Sequence, residues 1–395
     1  MSLFQKISSI LITCPKGIPE YLQAELIELG FKETHPLDAG VMVRGTLADC
    51  MRLNLWVRTG HRVLYELSHF RAFGPDEIYE ETFSIPWEEY IEKDGYFRVD
   101  TSVRDTSVND PRFAGLRVKD AVADRFMEKF GSRPDSGPEL TGACIFLHWL
   151  GRQATLYLDT TGDPLPRRGY RKRPHTAPMQ ETLAAACVLA SDWPNIAAQG
   201  GHFIAPMCGA GTLAIEAALM AINGAPGLLR DNFAFMQLIG FDPAAWDALI
   251  DEAEDAENPD FKGRIIATDH DPTAIEAAED NARIAGVGDF IEFALCDFSE
   301  TEIPDGPGVV MLNPEYGERL GEAEALKSVY SGIGDFFKQS CGGKTGFIFT
   351  GNSSLAKRVG LRTKRRRTFF NAKIECRLLE YELYAGTKKH RPEKD

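Results

Sequence analysis

Short apolar runs alternate with helical segments throughout the C-terminal half of the chain, and this alternation limits the possible folds more than any other feature. Apolar runs of five or six residues are typical of strands buried on both faces of a parallel sheet. The predicted strands are residues 202–206, 264–269, 291–296, 308–312 and 346–350, and a predicted closing hairpin pairs 367–374 with 377–384. The segment from Glu181 to Tyr384 is therefore predicted to be an α/β domain with a largely parallel sheet.

The N-terminal 160 residues have a different, α+β pattern. Strand, helix, strand and helix are predicted at 7–13, 19–29, 41–44 and 47–59, and strand, helix, strand and strand at 96–102, 116–130, 144–150 and 154–159. Residues 162–178 then contain four prolines and two glycines, a composition typical of loops. Because 395 residues are enough for two or three domains, we expect a domain boundary in this segment.

The eight cysteines indicate a reducing compartment. None lies in a Cys-x-x-Cys motif or at zinc-finger spacing from a histidine, so neither a disulfide framework nor a metal site is expected. The longest apolar runs are strand-sized, far below the roughly 20 residues that a membrane-spanning helix needs. The first residues contain no long apolar core of the kind found in signal peptides. A cytoplasmic protein that contacts no membrane is therefore expected.

Positive charge is concentrated in two segments of an acidic chain, whose formal net charge is −14. Residues 164–175 contain five Lys and Arg residues and no acid, and residues 357–377 contain nine against one acid, Glu375. Such segregation indicates a local site for a polyanion, such as nucleic acid, on a body that otherwise repels it. The alternative interpretation is a solvated linker and a charged hairpin face.

The first predicted strand of the α/β domain leads through a glycine turn into a helix. In the sequence Met207-Cys-Gly-Ala-Gly-Thr212, Gly209 and Gly211 allow a sharp bend and the close approach of a ligand. The helix that follows would direct its first N–H groups toward that ligand. The two glycines also fit the dinucleotide-binding fingerprint, but that fold needs a ribose-binding acid roughly 20 residues later. The next predicted strand ends much further along, at Asp269, so spacing excludes this reading.

Acidic residues follow the next two predicted strands. Asp269 ends the second strand and Asp297 follows the third, and ligands of open α/β sheets bind at the carboxyl ends of the strands. At these positions Asp269 can accept from both hydroxyls of a ribose, and Asp297 from the amino group of an adenine. The glycine turn, Asp269 and Asp297 together suit an adenosine ligand whose 5′ substituent is not a pyrophosphate. Either acid alone is equally well explained as a helix cap.

The fourth predicted strand ends in the sequence Asn313-Pro-Glu-Tyr316. The Asn313 side-chain oxygen and a backbone carbonyl at the rigid Pro314 are two acceptors for an exocyclic amino group, and Tyr316 offers an aromatic face for a base. This arrangement suits methyl transfer to the nitrogen of a planar amine, which needs positioning and electrostatics but no enzymic nucleophile. Cys208 is therefore interpreted as a packing residue. An ordinary Asn-Pro turn is the alternative.

Together these motifs resemble the THUMP-domain class I S-adenosylmethionine-dependent RNA methyltransferases. The resemblance is carried by Met207-Cys-Gly-Ala-Gly-Thr212 and by Asn313-Pro-Glu-Tyr-Gly-Glu-Arg319. The segment from Gly169-Tyr-Arg to Ala177-Pro-Met-Gln-Glu-Thr-Leu-Ala-Ala185 is similar to the signature that joins the THUMP and catalytic domains in the 23S ribosomal RNA guanine-N2-methyltransferases. The resemblance covers nearly the whole chain, although the N-terminal half is recognised by layout more than by motif.

The resemblance implies a fold and a set of domains. The implied fold is α/β, a Rossmann-like seven-stranded class I methyltransferase sheet preceded by an α+β ferredoxin-like/THUMP module. The implied domains are an N-terminal ferredoxin-like domain at 1–62, a THUMP RNA-binding domain at 63–162, a basic Pro-rich linker at 163–179, the methyltransferase domain at 180–387 and a flexible tail at 388–395.

The resemblance also implies ligands and the residues that contact them. S-adenosylmethionine would lie in the glycine turn, and structured RNA would be held by the THUMP domain and the linker. The expected cofactor-binding residues are Pro206, Cys208, Gly209, Gly211, Thr212, Asp269, Asp297 and Asn313. The expected catalytic residues are Asn313, Pro314, Glu315 and Tyr316. The expected RNA-binding residues are Arg167, Arg168, Arg171, Lys172 and Arg173.

The expected reaction is methylation of a guanine exocyclic N2, with 23S rRNA as the usual substrate of the family. Three alternatives stay open: a tRNA guanine-N2 methyltransferase, an adenine-N6 DNA methyltransferase, and an RNA-binding protein whose catalytic domain has decayed. The last is motivated by two departures from the family pattern, Ala205 in place of an Asp and Glu315 in place of a second Pro. We hypothesise that Glu315 accepts from guanine N1–H or receives the released proton; a harmless loop substitution is the alternative.

Overall fold

The computed structural model of the chain describes residues 3–104, 108, 110–173, 179–317 and 322–384. The predicted tail at 388–395, Ala177 of the linker signature and Arg319 of the Asn313 motif lie outside the described residues. Contacts divide the chain into two compact units, the first made of 1–14, 22–167 and 225–255 and the second of 15–21, 168–224 and 256–395. The domain boundaries given above stay predictions. Within the described ranges, every helix is too short or too polar to cross a membrane.

The first unit is an α+β structure. Its strands are β1 (Ser8–Thr13), β2 (His35–Leu37), β3 (Gly40–Gly45), β4 (Arg62–Arg71), β5 (Tyr96–Arg104), β6 (Asp135–Ser136), β7 (Ala143–Leu150) and β8 (Gln153–Asp159). Its helices are α1 (Pro19–Glu28, whose first residues group with the second unit), α2 (Leu47–Trp56), α3 (Pro75–Ser84) and α4 (Pro111–Phe130).

One continuous sheet runs through the two N-terminal domains that the sequence predicts as separate modules. Its strand order is β2-β3-β1-β4-β8-β7-β5-β6. The joining strand is β4, which is absent from the predicted strands because its second half is polar. It pairs antiparallel with β1, where Ile10 faces Tyr65, and with β8, where Tyr65 faces Leu158.

Helix α4 begins five residues before its predicted start. The Asp110 side chain caps it by accepting a hydrogen bond from the Arg112 N–H at 3.0 Å, and a cap of this kind fixes a helix start even where apolar spacing is weak. The helix ends as predicted at Gly131, whose positive φ of 68° is a left-handed conformation that glycine adopts without strain.

Residues 225–255, which lie between two strands of the α/β sequence pattern, pack in the first unit. The Ala234 N–H donates to the Thr161 carbonyl at 3.3 Å, and the Phe235 N–H donates to Thr160 at 3.1 Å. The rings of Phe233 and Phe235 pack against Trp246 with centroid distances of 5.6 and 5.0 Å. The segment is therefore an aromatic extension of the first unit; its helix is α8 (Pro243–Asp255).

The second unit contains the α/β sheet. Its strands are β9 (His202–Pro206), β10 (Ile265–Asp269), β11 (Ile291–Leu295), β12 (Gly308–Leu312), β13 (Thr345–Thr350), β14 (Arg365–Asn371) and β15 (Ile374–Glu382). Its helices are α5 (Glu181–Ala190), α6 (Trp193–Ala198), α7 (Thr212–Ala221), α9 (Pro272–Ile284), α10 (Glu322–Gln339) and α11 (Ser353–Ala356).

The seven strands are ordered β11-β10-β9-β12-β13-β15-β14, and only β14 and β15 introduce antiparallel pairs. The predicted parallel strands match closely because strands covered on both faces are continuous apolar runs. The closing hairpin is shifted. Asn371 faces Ile374, so the turn is Ala372-Lys373 and lies three residues before the predicted one. Ala372 adopts a positive φ of 53° in this turn. The sequence here contains no Asn-Gly or Asp-Gly pair, which would have predicted such a turn.

Candidate active site

The glycine turn follows β9 as expected, with the buried Pro206 as the last residue of the strand. Met207, Gly209 and Gly211 all have positive φ, at 58°, 53° and 81°. The Cys208 N–H donates to the Thr268 carbonyl at 2.9 Å, which ties the turn to the neighbouring strand β10. The turn therefore stands at the carboxyl edge of the sheet, where α7 begins.

Glycine is favoured at positions 209 and 211 of the turn for different physical reasons. A Cβ on Gly211 would stand 3.0 Å from the Ala278 Cβ of α9, so this residue permits close packing of the turn against that helix. A Cβ on Gly209 would meet nothing within 4 Å. The space above Gly209 is open, as a ligand-binding turn requires.

Cys208 is partly buried beside this turn. Burial, reinforced by the Asp269 carboxylate, raises the pKa of its thiol. The thiol is therefore protonated at neutral pH and is a poor nucleophile, in agreement with its interpretation as a packing residue.

Asp269 ends β10 with its side chain directed at the turn. Its Oδ2 accepts from the Gly209 N–H at 2.9 Å, and its Oδ1 accepts from the Asp271 N–H at 3.1 Å. A carboxylate has about four acceptor positions, so two are left for a ligand. The residue fits a group with two adjacent hydroxyls, such as a ribose.

Asp297 caps a short turn and also keeps one oxygen available for the second role that the sequence left open. Its Oδ1 accepts from the N–H and the hydroxyl of Ser299, at 3.0 and 2.6 Å, and so caps the short turn Phe298–Glu300. Its Oδ2 accepts no hydrogen bond from the described residues. One oxygen is thus available to an amino group, while the other fixes the side chain.

The Asn313-Pro-Glu-Tyr316 sequence follows β12 at the same sheet edge, since β12 pairs in parallel with β9. The Asn313 Oδ1 is buried and has no hydrogen-bond partner among the described residues. Pro314 is buried, whereas the Glu315 side chain is exposed. A buried acceptor without a donor costs about 1–3 kcal/mol, so this oxygen could accept a hydrogen bond from a ligand N–H.

Neighbouring side chains hold this loop in place. The Tyr330 hydroxyl donates to the Glu315 carbonyl at 3.2 Å. The Asn352 side chain donates to the Tyr316 carbonyl at 3.1 Å, and the Asn371 side chain donates to the Tyr316 hydroxyl at 3.2 Å. Tyr316 is thus fixed at both its backbone and its ring.

The five basic linker residues have very different environments. Arg168 is only 1% exposed, and its guanidinium forms a two-point ion pair with the carboxylate of Glu216 in α7, with Nε–Oε1 and Nη2–Oε2 distances of 2.8 and 3.0 Å. The buried Tyr170 hydroxyl donates to the same carboxylate at 3.0 Å. Burial and the Glu216 charge raise the pKa of Tyr170 well above its usual range. Arg168 therefore anchors the segment inside the second unit and presents no surface to RNA.

The next arginine also serves the interior. The Arg171 guanidinium donates to the Thr212 hydroxyl at 3.1 Å and lies 3.4 Å from the Glu181 carboxylate. Thr212, the first residue of α7, is thus held from the linker side. The linker residues that remain exposed are Arg167, Lys172 and Arg173.

Besides the side chains that hold the Asn313 loop, two polar residues near the glycine turn were not found from the sequence. Asn281 in α9 is fully buried, and its side chain accepts from the N–H groups of Lys172 and Arg173 at 3.2 and 3.3 Å. It also donates to the Ala210 carbonyl of the glycine turn at 3.2 Å. Glu216 is the other; a single acid within the apolar helix sequence TLAIEAALMA is a signal for a buried partner.

Family models match three stretches of the chain. The model described as RMKL-like, methyltransferase domain matches residues 168–380, which is more than half of the chain. The model described as RlmL ferredoxin-like domain matches 9–64, and the THUMP domain model matches 75–159.

Curated relatives span these stretches together. "Ribosomal RNA large subunit methyltransferase K/L" of Syntrophotalea carbinolica is 40% identical over 377 residues, which are 94% of this chain and 53% of the relative. "Putative RNA methyltransferase slr0064" of Synechocystis sp. is 35% identical over 373 residues, which are 94% of this chain and 96% of the relative. The chain thus spans about half the length of the K/L relative and nearly all of the Synechocystis protein.

Solved structures share the fold over the whole chain. "SMU.472, a putative methyltransferase complexed with SAH" superposes with a TM-score of 0.87 at 27% identity, covering 97% of this chain and 100% of the other. "A predicted N6-adenine-specific DNA methylase" from Listeria monocytogenes has a TM-score of 0.85 at 31% identity, covering 97% of each chain. The fold class and the family resemblance expected from the sequence are confirmed. The chain belongs to the RMKL-like methyltransferase family and carries ferredoxin-like and THUMP domains ahead of its methyltransferase domain.

Proposed function

We propose that the chain transfers a methyl group from S-adenosylmethionine to the exocyclic N2 of a guanine in 23S ribosomal RNA. The observation that carries the proposal is the buried Asn313 Oδ1 without a partner among the described residues, at the same sheet edge as the glycine turn. The amino group of a base supplies the missing donor. The names of the K/L relatives support ribosomal RNA as the substrate, and a ribosomal RNA substrate supports a cytoplasmic location for the proposed reaction.

The cofactor would be held by the turn and by the acids beside it. When bound, S-adenosylmethionine supplies an electrophilic methyl group on its sulfonium. Asp269 would accept from the two ribose hydroxyls with the acceptor positions that Gly209 and Asp271 leave vacant. Asp297 would accept from the adenine amino group, and the open space above Gly209 admits the ligand close to the backbone.

The target base would be held by the loop after β12. Asn313 Oδ1 and the Pro314 carbonyl accept the two hydrogens of the amino group, which directs the nitrogen lone pair toward the methyl group. The Tyr316 ring stacks on the base. The reaction releases one proton, which the exposed Glu315 carboxylate would receive, or else this carboxylate would accept from guanine N1–H. Most of the acceleration would come from this positioning.

RNA around the target base would lie on the THUMP domain and on the exposed linker residues. Arg167, Lys172 and Arg173 are the linker residues with exposed side chains. Phosphate contacts from such residues fix the register of the RNA without reading its sequence.

The test is a methyl-transfer assay with labelled S-adenosylmethionine on total RNA that lacks the endogenous modification, followed by digestion to nucleosides. N2-methylguanosine in the large-subunit RNA is expected, and Asn313→Ala should remove it even at cofactor concentrations that saturate the variant in calorimetry. Asn195→Ala, an exposed asparagine on α6, is the matched control.

Other distributions of label would contradict the proposal in different ways. Label in tRNA guanosine, or in N6-methyladenine of added DNA, would refute the proposed substrate while preserving the chemistry. Intact cofactor binding without label in any nucleic acid would refute catalysis and favour a protein that only binds RNA.

A further inference from the structure

A second basic segment lies outside the residues that the proposed function uses. It consists of residues 357–377, which include β14 and the first residues of β15, and is called here the basic hairpin. Three of its nine Lys and Arg residues pair with acids of the same hairpin: Lys364 and Arg367 with Glu380, and Arg377 with Glu375. The other six are exposed and form no ion pair within the described part of the chain: Lys357, Arg358, Arg362, Arg365, Arg366 and Lys373.

These six positive charges, which form no ion pair within the described part of the chain, lie within 17 residues of a chain whose net charge is −14, and charges this close repel one another. β14 is also the last strand in the sheet order, so no further strand of the described chain lies beyond it. The charge pattern therefore complements a polyanion rather than another part of the same fold.

The tip of the basic hairpin reaches the loop that is proposed to hold the target base. The Asn371 side chain donates to the Tyr316 hydroxyl at 3.2 Å. A Cβ on Gly351 would stand 3.2 Å both from Ile374 Cγ2 and from Tyr316 Cδ2. Ile374 and Tyr316 therefore both pack against Gly351, which leaves room for them, and the exposed Lys373 precedes Ile374 in the chain.

We propose that the basic hairpin binds the phosphates of the RNA strand that flanks the target base. The backbone lies along the hairpin while the base lies against Tyr316, and Asn371 is a positioning residue that holds the Tyr316 hydroxyl. This inference rests on the proposed function and deepens it, because it adds a phosphate-binding surface beside the reacting base to those of the THUMP domain and linker.

The experiment measures RNA affinity at several salt concentrations with fluorescently labelled large-subunit RNA. The variant is Arg365→Gln/Lys373→Gln. The matched control is Lys32→Gln/Lys262→Gln, which removes the same charge from two exposed residues outside the basic hairpin. All three chains are also tested for cofactor binding and thermal midpoint, which should be equal since the replaced residues are exposed.

Loss of two phosphate contacts should reduce the slope of log affinity against log salt by about 1.5, since each contact contributes about 0.7–0.9. The control should keep the wild-type slope. A wild-type slope and affinity in the hairpin variant, or an equal loss in the control, overturns the inference. These binding slopes do not depend on turnover, so a wild-type chain that methylates no RNA refutes the proposed function and leaves the hairpin test in force.

A second measurement separates the positioning role of Asn371 from a structural one. Asn371→Leu should lower kcat about five-fold, the value of one neutral hydrogen bond, and leave the salt slope unchanged. In a Tyr316→Phe background, which lacks the hydroxyl, the same substitution should have no further effect. An equal loss of kcat in both backgrounds would overturn the positioning role.

Discussion

The ion pair between Arg168 and Glu216 leads to a strong prediction about stability. The two side chains are 2% and 0% exposed and meet at two points. Removing one partner of a buried pair leaves an uncompensated charge and costs about 3–5 kcal/mol. Arg168→Met should therefore remove a large part of the stability of the second unit, since a typical domain has only about 5–15 kcal/mol.

The assay is thermal and urea unfolding, followed by circular dichroism and tryptophan fluorescence. For a unit of this size, the loss corresponds to a decrease in Tm of about 6–20 °C. The matched control is Arg167→Met. The Arg167 side chain is 76% exposed and pairs with Asp163 at the surface, and such pairs contribute about 0–1 kcal/mol.

Two further results test the reasoning. Arg168→Met/Glu216→Gln should recover most of the lost stability, because no buried charge is left and the amide oxygen introduced by Glu216→Gln still accepts from the Tyr170 hydroxyl. Under conditions where it is folded, Arg168→Met should bind RNA with the wild-type salt dependence. A wild-type Tm for the single variant, or a double variant no more stable than the single one, would refute this account of the pair.

Three further predictions concern the cofactor site and pH. Asp269→Ala should weaken S-adenosylmethionine binding by about 10²-fold to 10⁴-fold in calorimetry, because two charged hydrogen bonds of about 1.5–3 kcal/mol each are lost; wild-type affinity would exclude a ribose at this carboxylate. Asn281→Asp keeps the acceptor for the linker N–H groups but loses the donor to the carbonyls of Ala210 and Arg173, so cofactor affinity should fall about five-fold and RNA affinity by less, whereas equal losses of both would indicate general disruption. Hydrogen bonds from Arg125 lower the pKa of Glu88 from 4.5 to about 2. The stability that this carboxylate contributes is therefore present above pH 4.5 and is lost as the pH falls toward 2. Glu88→Gln should make the free energy of unfolding less dependent on pH over that range, and an unchanged pH dependence would contradict the assignment.

The parallel sheet could be predicted because its signal is local. β9 and β12 have the predicted bounds, since each is a short apolar run that ends at a turn residue. The hairpin turn could not be placed because Ala372 has the left-handed conformation without a glycine or asparagine to indicate it. Tertiary contacts of the surrounding strands determine that turn, and they are not visible in the local sequence.

The candidate site also contains residues whose positions could be predicted from the sequence and residues whose positions could not. The glycine turn, Asp269, Asp297 and the Asn313 motif lie at strand ends, so sequence order alone predicts that they share one edge. The burial of Arg168 could not be predicted, because its partner Glu216 lies 48 residues away in sequence. A basic residue in a Pro-rich segment is usually solvated. The only sequence signal was Glu216, an acid in an otherwise apolar helix, which indicated that a buried basic partner was required.

The placement of residues 225–255 in the first unit has a consequence for folding during synthesis. The first unit needs this segment, whose Phe233, Phe235 and Trp246 rings pack together there. Those residues leave the ribosome only after the glycine turn and α7 of the second unit have been made. Domains normally fold in order as they emerge, but here the N-terminal unit waits for a part of the chain that follows the start of its neighbour. Both units are therefore expected to be incomplete until residue 255 has emerged, and a ribosome stalled near residue 224 would hold two incomplete units.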